Sequence, residues 1–175
     1  MPHKAYDPKK LHEHIARTPL RGVNRYGSRR EWGPEDWHLH VMEENPDEIV
    51  ALRNIGHKIP DWENKWHVLN RYLGVQLHEF PIRSDHIFSD DGKRNLINAS
   101  KRIVDNVKAG KKTCITCNQG YRRTAAAIYM SHRMMGASHE EALKYSRGRS
   151  EVEPFSDYEM GQLNQLYEER EKYEE

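Results

Sequence analysis

Short apolar runs alternate along the chain with amphipathic segments, and this alternation limits the fold more than any other feature of the sequence. Apolar residues at every second position, or in a short unbroken run, predict strands, whereas apolar residues three and four positions apart predict helices. Strands are predicted at residues 37–41, 49–52, 75–82 and 113–116. Helices are predicted after the second, third and fourth of them. This order predicts a single three-layer α/β domain, with a mostly parallel central sheet of about four to five strands flanked by helices.

Local signals mark where several helices begin and end. Ser138 with Glu141, and Ser156 with Glu159, have the spacing of capping boxes, in which each side chain binds the backbone amide of the other residue. Asp61 is a predicted N-cap. Glycine is common just beyond a helix end, and three glycines follow amphipathic segments: Gly74, Gly110 and Gly136.

The first thirty-five residues do not follow the alternation. Prolines and glycines interrupt every periodic pattern there, at Pro2, Pro8, Pro19, Gly22 and Gly27. Residues 1–30 carry eight basic and two acidic side chains. We therefore predict a basic, irregular N-terminal segment over residues 1–35 and the α/β domain over residues 36–175.

Composition excludes several classes of protein. The chain has 175 residues and a formal net charge of +1. It has no apolar run near the roughly 18 residues that a membrane span needs, and its N-terminus lacks the apolar region of a signal peptide. Its two cysteines are too few for a disulfide framework. These features predict a protein of the cytoplasm with no membrane span.

The near-zero net charge conceals a basic segment. Residues 91–150 carry thirteen basic and four acidic side chains, whereas residues 31–90 carry five and twelve, and residues 151–175 carry two and nine. Solvated helix faces alone can produce such a pattern. The distribution nevertheless directs the search for an anion site to residues 91–150.

The junction between the fourth predicted strand and the next helix has the composition of such a site. Cys117 ends the strand, Gly120 lies in the loop, and Arg123 follows six positions after the cysteine, near the helix start. Backbone amides at a helix N-terminus form an anion cradle and stabilise a thiolate at its rim. Arg123 adds a planar fork for two phosphate oxygens. The predicted phosphate-binding residues are Asn118, Gln119, Gly120, Tyr121, Arg122 and Arg123.

The string CNQGYRRT, from Cys117 to Thr124, resembles the signature of the cysteine-dependent phosphatase superfamily, and the dual-specificity branch is the most similar in length and layout. The segment EFPIRSD resembles the family's general-acid loop and ends at Asp85, 32 residues before Cys117. The C-terminal stretch EALKYSRGRSEVEPFSDYEMGQLNQLYEE resembles the family's last helices. The resemblance covers roughly residues 45–170.

The resemblance implies a mechanism and a substrate class. Cys117 would attack phosphorus, Arg123 would hold the phosphate oxygens, and Asp85 would protonate the leaving group and later activate water. The Thr124 hydroxyl would stabilise the thiolate when it leaves. The family needs neither metal nor cofactor. The expected partner is a phosphorylated substrate, with a phosphoprotein carrying phosphotyrosine, phosphoserine or phosphothreonine as the first choice.

Three departures from the family pattern keep alternatives open. Thr116 stands where the family usually has histidine, which leaves a catalytically weak phosphate-binding module as an alternative. Tyr121 resembles the aromatic residue of RNA 5′-triphosphatases and myotubularin-like members, and Arg122 adds a charge. An RNA 5′ end or a phosphoinositide is therefore an alternative substrate. Arg122 also fits a C-x4-R spacing similar to rhodanese-like sulfur transferases, although Thr124 and Asp85 favour a phosphatase.

Other chemistry-bearing residues have simpler interpretations. Cys114 is interpreted as an inward-facing strand residue, with a reversible disulfide to Cys117 as the alternative. The histidine pairs 12/14 and 38/40 have no further ligands to complete a zinc site, so no metal is expected. Trp62 and Trp66 are interpreted as core residues.

Overall fold

Four parallel strands form the central sheet in the part of the chain that the structure describes, a computed structural model covering residues 6–20, 33–118, 122–147 and 153–175. The strands are β1 (Ile15–Arg17), β2 (Glu48–Ala51), β3 (Gln76–Glu79) and β4 (Thr113–Thr116), in the order β1-β4-β2-β3. The helices are α1 (Pro8–Glu13), α2 (Trp37–Glu44), α3 (Trp62–Trp66), α4 (Asp90–Lys108), α5 (Arg122–Met134), α6 (His139–Ser146) and α7 (Asp157–Glu168). A π-helical stretch, His67–Tyr72, continues α3, and a 3-10 turn, Arg170–Lys172, follows α7.

Apolar clusters pack on both faces of the sheet, which confirms the three-layer α/β fold. Every residue of β2 and β4 is buried, as expected for parallel strands covered on both sides. Ile115 and Val50 face one cluster, which includes residues of α4, α5 and α7, and Ile49 and Cys114 face the other, which includes residues of α2. The carboxyl ends of the strands therefore share one edge between the two helical layers.

Residues 37–41 form the start of helix α2, so the predicted strand there is wrong. Trp37, His40 and Val41 are buried at positions i, i+3 and i+4, which is a helical period. Leu39, which the alternating pattern would bury, is 43% exposed, whereas His40 is 6% exposed. The sequence alternates between apolar and polar residues like a strand, because here a histidine occupies a buried position of the helix and a leucine an exposed one.

The irregular structure predicted for the N-terminal segment is wrong over α1 and β1. The Asp7 side chain accepts a hydrogen bond from the Lys9 amide at 3.0 Å, and Pro8 occupies the first turn of α1. Proline suits that position because its fixed φ is helical. Its missing amide hydrogen would have had no partner within the helix there. β1 then pairs with β4. The division of the chain at residue 35 stays a prediction, although β1 belongs to the same sheet as the other strands.

Most of the helix signals agree with the structure, although Asp61, which precedes α3, makes no capping hydrogen bond with its side chain. Both capping boxes, at Ser138 and Ser156, form as predicted. Helix α4 begins after Ser89, whose side chain accepts from the Gly92 amide at 3.1 Å. Asp90 and Asp91 follow it in the first turn of the helix. None of the helices in the described ranges is both long and apolar enough to cross a membrane.

Candidate active site

Cys117 lies where β4 ends, at the carboxyl edge of the sheet. Its thiol is buried, with 2% exposure, and Sγ lies 3.0 Å from Thr124 Oγ1 in the first turn of α5. This is hydrogen-bonding distance for a sulfur–hydroxyl pair. The structure thus brings together the predicted nucleophile and the hydroxyl predicted to support it. Gln119, Gly120 and Tyr121, three of the predicted phosphate-binding residues, lie outside the described residues.

Arg123 joins α5 to the segment that follows β3. Its side chain is 9% exposed, and Nη1 donates a 2.8 Å hydrogen bond to the carbonyl of Ile82. Arg123 also lines a cleft of about 430 Å³, together with Asn118 and Asp85. The predicted phosphate-binding arginine, the start of the loop and the predicted general acid therefore border one cleft. Arg123 lines this cleft and Arg122 does not, which favours the C-x5-R register over C-x4-R.

Asp85 lies at the mouth of this cleft and is exposed. Its carboxylate lies 2.9 Å from Nδ1 of His86, and its side chain is 69% exposed. The hydrogen bond from its own backbone amide, followed by those from the His86 ring and the charge of Arg83, holds the pKa of Asp85 below its ordinary value. Asp85 is therefore ionised at neutral pH in the unliganded protein. A general acid must be protonated, so this environment favours activity at acidic pH.

The Arg122 side chain forms an ion pair with a residue of α7. Its Nη2 forms an ion pair with Oε2 of Glu159, whose other oxygen accepts the Ser156 amide at 3.0 Å within the capping box. The pair lines a second pocket, of about 230 Å³, that also contains Asp85 and Phe88. Arg122 thus contacts the last helix in this structure. Its predicted part in binding phosphate stays a prediction.

Thr116 joins the nucleophile strand to the N-terminal segment. The buried Thr116 hydroxyl donates to the carbonyl of Thr18, which also accepts from Trp37 Nε1 at 2.8 Å. The Leu20 amide donates to the carbonyl of Cys117 at 3.1 Å. The sequence patterns contain no signal for this arrangement, because β1 is three residues long and follows a proline-containing helix. The residue that replaces the family's histidine therefore binds a segment that lies outside the resemblance.

Cys114 and Cys117 are both free thiols on different sides of the sheet. Cys114 belongs to the core cluster beneath α2, and Cys117 to the cluster on the α5 side. Burial raises the pKa of the Cys114 thiol far above its ordinary value. Three steps along a strand separate Cα atoms by about 10 Å, whereas a disulfide tolerates about 7 Å. The interpretation of Cys114 as an inward-facing strand residue is confirmed.

Three further residues of the cleft were not identified from the sequence. Arg53, Asn54 and His57 lie in the turn that follows β2 and line the same cleft. Their position after a buried strand was a usable signal, because the carboxyl ends of parallel strands share one edge. By contrast, His38 and His40 lie on helix α2, away from this turn in the sequence. The described residues contain no group of three or more His, Cys, Asp or Glu suited to a metal ion.

Comparison with known proteins supports the fold. The sequence matches no protein-family model and no curated protein. Among solved structures, a mutant form of Tk-PTP is similar with a TM-score of 0.60 and 22% identity, covering 83% of this chain and 95% of that one. Tk-PTP in the active form gives 0.59 and 21%, covering 90% and 92%. A kinase associated phosphatase with its catalytic-site cysteine replaced by serine gives 0.57 and 14%, covering 94% and 92%. The chain thus has the fold of cysteine-dependent phosphatases, as its resemblance to them implies.

Proposed function

We propose that the protein is a cysteine-dependent phosphatase that hydrolyses phosphate monoesters through a cysteinyl-phosphate intermediate. The observation that carries this proposal is the 3.0 Å contact between Cys117 Sγ and Thr124 Oγ1 at the end of β4, beside the cleft that Arg123 lines. The shared fold with Tk-PTP and with the kinase associated phosphatase supports it. A binding module would need neither a buried thiol nor a hydroxyl placed to stabilise its anion.

The proposed reaction has two steps. The Cys117 thiolate attacks phosphorus, so an S–P bond forms while the ester P–O bond breaks, and Asp85 gives its proton to the leaving oxygen. Water then attacks the phosphorus and loses its proton to Asp85, while the S–P bond breaks and the thiolate leaves. Arg123 and the loop amides stabilise the charge on the phosphate oxygens in both steps. Thr124 donates to the sulfur and stabilises the departing thiolate.

We propose a phosphorylated protein side chain as the substrate, with dual specificity for phosphotyrosine and phosphoserine or phosphothreonine. The exposed position of Asp85 supports a substrate whose phosphate is presented from a protein surface. The cytoplasm is the proposed compartment, since its reducing conditions keep Cys117 as a thiol. An RNA 5′ end or a phosphoinositide is the second candidate, favoured by the arginines and the histidine that line the cleft.

Hydrolysis of 4-nitrophenyl phosphate by the wild type, Cys117→Ser and Asp85→Asn tests the enzyme assignment. Vanadate-sensitive turnover that Cys117→Ser abolishes is the expected result. Activity that survives Cys117→Ser would overturn the covalent mechanism, and the absence of any activity would favour a binding module. Relative turnover of a phosphotyrosine peptide, a phosphothreonine peptide, an inositol phosphate and triphosphorylated RNA then identifies the substrate class.

A further inference from the structure

The cleft beside Cys117 is lined by more guanidinium groups than one phosphate monoester requires. Arg123 is the guanidinium assigned to the transferred phosphate. Arg53, Arg83 and His57 line the same cleft, and Asp85 is the one carboxylate among the described residues that line it. A concave site with an excess of cationic groups concentrates anions. Arg53 and Arg83, with the imidazole of His57, therefore line a place where a second anionic group of the ligand could lie.

Main-chain hydrogen bonds place two of these arginines just beyond the ends of the neighbouring strands β2 and β3. Arg53 follows Leu52, whose amide donates to the carbonyl of Thr116 at 2.8 Å and whose carbonyl accepts from the Ile82 amide at 3.0 Å. Arg83 follows Ile82, whose carbonyl accepts the 2.8 Å hydrogen bond from Arg123. The backbones of residues 53 and 83 therefore extend directly from a ladder that also anchors Arg123.

The turn that carries His57 is fixed by its own contacts. The Ile55 amide donates to Glu79 Oε2 at 2.9 Å, and the Lys58 amide donates to the Ile55 carbonyl at 2.9 Å. The Ile55 side chain is buried in the core beneath α2. His57 is exposed at the tip of this anchored turn. Its ring thus borders the cleft from a turn that is fixed by backbone hydrogen bonds and by a buried side chain.

We propose that Arg53, His57 and Arg83 form a second anion subsite, which binds another phosphate group of the same substrate molecule. This inference rests on the proposed phosphatase function and adds the substrate class, a phosphate monoester that bears a further phosphate nearby. Guanidinium groups bind phosphate through paired hydrogen bonds, and the imidazole of His57 adds a donor. Arg83 lies two residues from the general acid, whereas Arg53 and His57 belong to a separate turn and are the residues to test.

The test compares 4-nitrophenyl phosphate with an aromatic compound that carries two phosphate monoesters on one ring. We expect the wild type to have the higher kcat/KM for the bisphosphate. Arg53→Gln should lower kcat/KM for the bisphosphate about tenfold or more, the usual worth of hydrogen bonds to a charged group, and leave the monophosphate unchanged. Arg53→Lys should recover part of the loss, because it restores charge without the planar fork.

Lys58→Gln is the matched control, since Lys58 is an exposed cation beside His57 that does not line the cleft. His57→Gln is the second variant, because His57 is exposed and its replacement leaves the core intact. Equal kcat/KM for the two compounds in the wild type, or equal losses for both in Arg53→Gln and His57→Gln, would overturn the subsite. Unchanged thermal midpoints must accompany the expected result.

A second readout separates this inference from the proposed reaction. If the protein hydrolyses neither compound, the phosphatase assignment fails, and calorimetric binding decides the subsite alone. We then expect the bisphosphate to bind more tightly than inorganic phosphate, with a preference that Arg53→Gln and His57→Gln reduce. Equal affinity of the wild type for the two ligands would refute the subsite.

Discussion

The hydroxyl of Thr116 donates a hydrogen bond to the carbonyl of Thr18, a residue 98 positions earlier in the chain. Thr18 precedes Leu20, whose amide binds the carbonyl of Cys117 itself. The N-terminal segment therefore supports the end of β4, where the proposed nucleophile lies.

Thr116→Val tests whether this hydrogen bond positions the nucleophile. Valine keeps the shape but leaves the buried Thr18 carbonyl with one donor fewer, so we expect a loss of about 1 kcal/mol in the free energy of unfolding. We also expect a lower kcat with little change in KM. Thr116→Ser keeps the hydroxyl and is the control. A kcat equal to that of the wild type in Thr116→Val would restrict this residue to stability.

Thr124→Val should slow the second step of the proposed reaction more than the first. The hydroxyl lies 3.0 Å from Cys117 Sγ, and a hydrogen bond to a charged group is worth about 1.5–3 kcal/mol. We therefore expect kcat to fall by about one to two orders of magnitude, with a burst of 4-nitrophenol as the cysteinyl-phosphate accumulates. Thr124→Ser retains the donor and should show no burst. A uniform loss without a burst would contradict the role assigned to this hydroxyl.

Glu159→Gln should release Arg122 from α7. Glutamine can still bind the Ser156 amide, so the capping box survives while the ion pair loses its negative charge. We expect a lower KM for 4-nitrophenyl phosphate at low salt, since a second guanidinium becomes available beside the cleft. The effect should fade as ionic strength rises. Glu141→Gln alters the other capping box in the same way and serves as the control, for which no change in KM is expected.

The pH dependence of kcat/KM should follow Asp85. Its pKa lies below the ordinary value in the free protein, and the general acid must be protonated, so kcat/KM should decline as pH rises above that pKa. His86→Ala removes a partner that favours the carboxylate, which raises the pKa and moves this decline to higher pH. Asp85→Asn should abolish it. An unshifted profile in His86→Ala would contradict the contribution of His86 to the lowered pKa of Asp85.

His132 should make the protein sensitive to acid. The ring is fully buried, and desolvation lowers its pKa to about 3 from 6.5. The folded state therefore favours the neutral ring, and stability present above pH 6.5 is lost as pH falls towards 3. Within that window, the free energy of unfolding falls by about 1.4 kcal/mol for each unit by which the pH is lowered. Unfolding by urea at several pH values measures this slope.

The groups that face His132 come from the N-terminal segment and α6. Its Nδ1 binds the Tyr6 hydroxyl, and its ring lies 5.3 Å from the rings of both His12 and Tyr145. Burial and Arg17 lower the pKa of His12 as well, so the two histidines add to one acid response. His132→Phe should reduce the slope, whereas replacing the exposed His67 with glutamine should not. An unchanged slope in His132→Phe would place the acid sensitivity elsewhere.

The strands that carry the site were predictable because each is a short run of residues that are apolar or β-branched. Residues 49–52 and 113–116 have no alternation to misread, and the loop after the latter contains the motif. The strand prediction for residues 37–41 was wrong because tertiary packing, and not local sequence, decides that His40 is buried and Leu39 is exposed. β1 was not predicted because a three-residue edge strand is stabilised by pairing with β4, a partner about one hundred residues away in the sequence. Contacts of this kind, including the Arg122–Glu159 ion pair, have no local signature.

The placement of the two cysteines on opposite faces of the sheet has a consequence for oxidative damage. The chain has no third cysteine, and Cys114 lies too far along the strand, on the wrong side, to attack an oxidised Cys117. A sulfenic acid at Cys117 therefore lacks an internal thiol to convert it to a reversible disulfide. Its conversion to a disulfide depends on thiols supplied by the surroundings, such as glutathione.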